Sequence, residues 1–125
     1  MNKQRRKELA NIINTMESVC MPLDIKQLER IKSDIEIVLM DEEFVFESMP
    51  EGLQYSMRGE ASQEAQDNMN EAIDAIDEFI SDYEDYETDQ IHDPEDDEED
   101  IESEIEDRLQ DLISEVVEYL EMAVE

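Results

Sequence analysis

Tryptophan is absent from this chain of 125 residues, and cysteine and histidine occur once each, as Cys20 and His92. Glycine (2) and proline (3) are nearly as scarce, aromatics make up 6 %, and only nine residues are Lys or Arg. Each shortage excludes something. A single cysteine permits no internal disulfide and suits a reducing compartment; at the end of an apolar stripe, Cys20 reads as half-buried filler. One Cys and one His cannot build a zinc site. Nucleophilic catalysis needs a base beside the nucleophile, and His92, next to Asp93 in an acidic stretch, reads as a surface imidazole. Neither 82–93 nor 93–104 has the glycine an EF-hand loop requires, so acids around 93–99 would bind divalent cations only loosely. There is no glycine-rich phosphate loop, and no aromatic platform singles out a carboxylate pair for glycoside chemistry. Few turn residues argue against β architectures. No run approaches the roughly 20 apolar residues that span a bilayer. The basic start, Lys3-Gln4-Arg5-Arg6-Lys7, is not followed by the apolar segment of a signal peptide. These shortages point to a cytoplasmic protein that is not an enzyme and carries no cofactor or metal.

What is abundant is negative charge. Thirty-nine acids leave a net charge of −30. The imbalance is regional: residues 1–32 hold seven cations against four acids, whereas residues 33–125 hold only Arg58 and Arg108 against 35 acids. Such a surface is repelled by nucleic acid and by anionic membranes, and is drawn to basic protein surfaces. It also opposes its own folding.

Apolar periodicity is helical throughout, and predicts one all-α domain spanning 1–125, a small bundle of about four helices. A first helix is expected over 3–20, with Leu9, Ile12, Ile13, Met16 and Val19 as its stripe. Its cations oppose the helix dipole, so pairing with acids elsewhere is their plainest role; phosphates held by a partner are the alternative. Met21-Pro22 ends this helix. Asp24 opens a second, running to about Ser48, with Ile25, Leu28, Ile31, Ile35, Val38, Leu39 and Phe46, and Val45 at the margin, on its apolar face. Leu53-Gln54-Tyr55 lies in the connection that follows and can form a turn of its own. Arg58, alone among acids, is expected to pair with them. A loop is expected over 88–96, broken by Pro94. The last helix, about 97–123, carries Ile101, Ile105, Leu109, Leu112, Ile113, Val116, Val117, Leu120 and Val124 at near-heptad spacing. It either completes the bundle or dimerises as a coiled coil.

The third long helix organises the chain. Ala61, Ala65, Met69, Ala72, Ile76, Phe79 and Tyr83 form its apolar ladder. A second ladder, Glu60, Glu64, Asp67, Glu71, Asp74, Glu78, Asp82 and Asp85, runs beside it, mostly one residue ahead and so displaced by about 100°. Eight acids over about 38 Å of helical rise place a charge about every 5 Å. A second acidic helix alongside would bring the density to roughly one per 2.5 Å, within a factor of two of duplex DNA. Acids continue through the 82–107 run, where 16 of 26 residues are acidic and none is Lys or Arg; Asp96, Asp97, Glu98, Glu99 and Asp100 are its densest part. Exposed charge rows are ordinarily just solvated faces. Here, however, the omission of Lys and Arg forfeits the usual i,i+4 pairs and leaves repulsion unrelieved, which favours a functional negative surface.

The run PEGLQYSMRGEASQEAQDNMNEAIDAIDE, about 30 residues, resembles a segment of small acidic proteins of bacteriophages and mobile elements. The features in common are Pro50, Leu53-Gln54, the Ser56-x-Arg58-Gly59-Glu60 turn and the Ala/Ile/acid helix after it. The resemblance implies a phage setting in which such proteins counter host defences, as anti-CRISPR proteins and nucleic-acid mimics do, but it implies no site residues.

The functional expectation is an acidic nucleic-acid mimic. It would occupy the basic, phosphate-binding cleft of a host DNA-binding protein, with a CRISPR effector nuclease first among targets and a restriction enzyme or nucleoid protein next. The eight ladder acids and Asp96 to Asp100 would form the partner-binding surface, without direct contact to nucleic acid or membrane. The alternative is a non-enzymatic adaptor or assembly protein that pairs or homodimerises through the apolar face of the last helix.

Overall fold

A computed structural model describes residues 3–20, 24–92 and 98–124. Five helices follow one another: α1 (Lys3–Glu17), α2 (Ile25–Ser48), the single turn α3 (Glu51–Gln54), α4 (Met57–His92) and α5 (Glu98–Val124). There is no strand among the described residues. The four long helices form a ring in which α1 packs on α2 and α5, and α4 packs on α2 and α5. The chain is thus an all-α bundle with α4 diagonal to α1 and α5 diagonal to α2.

One core runs through all four long helices. Leu9, Ile12 and Met16 from α1 meet Leu28, Ile31, Ile35 and Val38 from α2, Met69, Ala72 and Ile76 from α4, and Leu109, Leu112, Val116 and Leu120 from α5. Burying a side chain of this size contributes about 1.5–3 kcal/mol, so this core is what opposes the repulsion of 30 excess charges. The C-terminal stripe is consumed here. Ile105, Leu109, Leu112, Ile113, Val116 and Leu120 are all buried within the chain, so α5 completes the bundle.

Local chemistry sets the helix boundaries. Asp24 caps α2, its Oδ1 accepting from the Lys26 backbone N–H at 3.0 Å. Pro50 follows the end of α2, where it has no N–H to continue the ladder. The α2–α4 corner is then held by Gln54, whose Nε2 donates to the Phe46 and Met49 carbonyls at 3.1 and 3.3 Å. Gly59 is buried one turn further on, where a Cβ would overlap the Gln54 backbone carbonyl. Pro50, Gln54 and Gly59 therefore have structural work at this corner.

Several sequence expectations are corrected. The first helix stops at Glu17, three residues early; the Ser18 hydroxyl takes up the Thr15 carbonyl at 2.6 Å, and Val19 is buried beyond the helix. Cys20 is exposed rather than half-buried. Ala61 is exposed, and the buried positions at this end of α4 are Gly59 and Ser62. The helix also continues through 88–92, where a loop was expected, carrying His92 as its last residue. Acid density disfavours an isolated helix, but α4 is propagated from a packed segment, and extending an existing helix costs far less than nucleating one. The rest of the expected loop, 93–96, lies outside the described residues.

Candidate partner-binding surface

On α4 the buried positions Ala65, Met69, Ala72, Ile73, Ile76 and Phe79 fix which side the acids take. Glu60, Glu64, Asp67, Glu71, Asp74, Glu78 and Asp82 are all exposed. They form one row along the outside of the bundle, uninterrupted by a cation between Glu60 and Asp82. Asp85 belongs to the same helix, and Glu98, Glu99 and Asp100 belong to the first turn of α5; Asp96 and Asp97 lie outside the described residues. Acids in the first turn of α5 suit the positive end of its dipole.

The row does not stand alone. A surface cleft of about 330 Å³ follows the α4–α5 seam, with Glu78 and Asp82 on one wall, Asp111 and Glu115 on the other, and Ala75, Phe79 and Leu112 as its floor. Further along the same seam Tyr119 of α5 is half-buried. Its phenol is held above the usual value of 10.0, first by partial desolvation and then by Glu115, by Glu71 from α4, and by Glu118. Carboxylates from both helices thus converge on one seam. Glu104, Asp111, Glu115 and Glu118 of α5 are all exposed, at the spacing of a second row. The α4 and α5 helices pack against each other, so the two rows flank one seam.

Arg108 also lines the cleft, and it reaches back to Glu104 in its own helix at 3.5 Å. On the opposite flank of α4, Asp77 accepts from Lys32 Nζ of α2 at 2.6 Å. That hydrogen bond, above all, raises the Lys32 pKa beyond its ordinary 10.5, with Asp77, Glu36 and Glu29 adding to the field. Seven of the nine Lys and Arg thus belong to the first 32 residues, and α4 and α5 carry one each, Arg58 and Arg108.

Sequence reasoning singled out the α4 row but not Asp111 and Glu115, because α5 was read for its apolar stripe. The same three- and four-residue steps were present in α5. Which neighbour α5 would take, and therefore which acids would face which, was not encoded in the spacing. Among the described residues, no group of three or more His, Cys, Asp or Glu has the arrangement to hold a metal ion, and no helix is long and apolar enough to cross a membrane.

No protein family, no curated protein and no solved structure matches the chain.

Proposed function

We propose that this protein is a polyanion mimic, a non-enzymatic inhibitor that occupies the phosphate-binding groove of a DNA-binding protein. The observation that carries the reading is the α4–α5 seam, where Glu78 and Asp82 face Asp111 and Glu115 across one cleft. Facing carboxylates repel, and Arg108 alone among the residues lining the cleft offsets the four acids there. Two lines of negative charge on a rigid bundle resemble the two phosphate strands that a basic groove is built to hold. Binding would release the counterions condensed on both surfaces, as DNA binding does. The resemblance of residues 50–80 to phage proteins makes a CRISPR effector nuclease the first target to try, and a restriction enzyme the second. The adaptor reading is weaker, because the stripe it relied on is buried inside the chain from Ile105 to Leu120.

The test is a DNA-cleavage assay with the inhibitor titrated in. Wild type should inhibit competitively with DNA and lose affinity steeply between low and moderate salt. The five-fold variant E64K/D67K/E71K/D74K/E78K should not inhibit, and D111K/E115K should weaken inhibition as well. Single neutralisations should change it less than about fivefold, since each exposed ion pair contributes under about 1 kcal/mol. A folded five-fold variant that inhibits like wild type overturns the reading.

A further inference from the structure

Diagonally across the bundle from α5, the outer face of α2 has a different character. Its buried positions are Leu28, Ile31, Ile35, Val38, Leu39 and Glu42. Opposite them run Lys26, Arg30, Ser33, Ile37, Met40 and Phe44, at alternating steps of four and three, the spacing of a coiled-coil seam. Ile37 is 57 % exposed, Met40 67 % and Phe44 70 %. Three large apolar side chains thus lie in one line over about 10 Å of helix, apart from the other exposed apolar residues, Leu53, Tyr55, Met57 and Met122. Beside Ile37 a groove between α1 and α2 is lined by Glu8, Asn11, Ile12, Asp34 and Val38, of which Ile12 and Val38 are core residues.

The flanks of the seam decide what can cover it. By the same heptad, Asp34 and Asp41 border one side and Glu36 and Glu43 the other, while Glu47 lies at the C-terminal end and Arg30 and Lys26 at the N-terminal end. A second copy fits badly in either orientation. Antiparallel pairing that sets Ile37 against Met40 brings Glu36 towards Glu43 of the second copy, and Asp34 towards Asp41, repulsions that outnumber the attraction of Arg30 to Glu47 at the ends. Parallel pairing sets Glu36 against Asp41, and Arg30 against Arg30. Like charges on both flanks are the arrangement by which coiled coils reject a partner.

We infer that the outer face of α2 docks a cationic amphipathic helix of a partner protein. Ile37, Met40 and Phe44 fill the partner's apolar stripe, and Asp34, Glu36, Asp41 and Glu43 pair with Lys and Arg on either side of it. An aromatic and a methionine at the centre, rimmed by charge, is the composition of a protein-binding hot spot rather than of a solvated face. The surface is distinct from the α4–α5 carboxylate rows, and the inference holds whether or not those rows imitate DNA.

The probe is a synthetic peptide of Leu and Lys with Leu at helical spacing, compared with a scrambled isomer of the same composition that lacks this spacing. Both are titrated against the full chain at moderate salt and followed by fluorescence anisotropy. The amphipathic peptide should bind wild type at least about tenfold more tightly than its isomer, and M40S/F44S should erase that preference. These substitutions leave the net charge unchanged and lie outside the core, so the helical circular dichroism should persist. Two results overturn the inference. In one, the two peptides bind alike, or M40S/F44S keeps the preference. In the other, sedimentation shows self-association of the wild type that M40S/F44S abolishes, making a second copy the occupant. The five-fold Lys variant of α4 should retain the peptide preference, so failure of the mimic reading and failure of this one are separable.

Discussion

Arg5 donates from Nε to Glu42 Oε2 at 2.6 Å, joining α1 to α2 through a carboxylate that is 1 % exposed. The other carboxylate oxygen accepts from the Ser62 hydroxyl of α4 at 2.8 Å, and Gln66 Nε2 lies 3.4 Å from that hydroxyl. Three helices thus share one buried anion. A charge taken out of water is tolerated only when it is paired and hydrogen-bonded, and here both oxygens are. This explains one cation of the basic N-terminus: pairing with an acid elsewhere in the chain, the plainer of the two expectations, holds for Arg5.

Removing one partner should therefore cost far more than removing both. Glu42→Ala leaves Arg5 without its buried carboxylate and should destabilise the fold by about 3 kcal/mol or more in urea denaturation. The double variant R5M/E42L should recover most of that loss. Ser62→Ala should cost about 1 kcal/mol, the scale of a single hydrogen bond. If Glu42→Ala unfolds at the wild-type midpoint, the buried network does not hold the three helices together.

Gly59 is required by space rather than by backbone conformation. Because a Cβ there would meet the Gln54 carbonyl, itself part of the α3 turn, the clash is with backbone that cannot rotate away. Gly59→Ala should lower stability by about 1–3 kcal/mol even though alanine is the better helix former. Gly52 has open space around it, so Gly52→Ala serves as the control and should be neutral or slightly stabilising.

A net charge of −30 on a 125-residue bundle makes stability depend on screening. Raising NaCl from low to moderate concentration should raise Tm by about 5 °C or more, since 1 kcal/mol corresponds to roughly 3–5 °C for a domain of this size. An unchanged Tm across that range would mean that the acidic rows are far enough apart not to strain the fold. The five-fold Lys variant of α4 should show a smaller salt response than wild type.

Two groups tie stability to alkaline pH with the same sign. Lys32 has its pKa raised, chiefly by the hydrogen bond to Asp77, so the folded state holds that proton more tightly than the unfolded chain. Its contribution is complete below 10.5 and is lost as pH rises through the raised value. Tyr119 is raised from 10.0 by partial desolvation and by Glu115, Glu71 and Glu118. Its contribution is likewise present below 10.0 and lost above it. Thermal melts should show stability falling as pH rises above about 10, and Asp77→Asn should flatten part of that fall. Because Asp77 is exposed and Lys32 only half-buried, the same substitution should cost about 1 kcal/mol or less at neutral pH. A melt with no pH dependence between 9 and 11 would contradict both assignments.

The helical spacing of apolar residues, the cap at Asp24 and the end of α2 near Ser48 were legible in the chain, because each depends on neighbours within four residues, and the extreme acidity is a matter of composition. Those local rules placed α2 at its observed ends and identified nearly all of the α4 and α5 core positions. They could not say whether the stripe of α5 would be buried inside one chain or shared between two, since the spacing is the same for both. Nor could they show that Glu42, an acid in an acidic sequence, would be the one turned inward to Arg5 and Ser62. Packing decided these points. Placing α5 between α1 and α4 buried its apolar stripe, set Asp111 and Glu115 against Glu78 and Asp82, and left Ile37, Met40 and Phe44 of α2 in water, because a ring of four helices can enclose only one face of each.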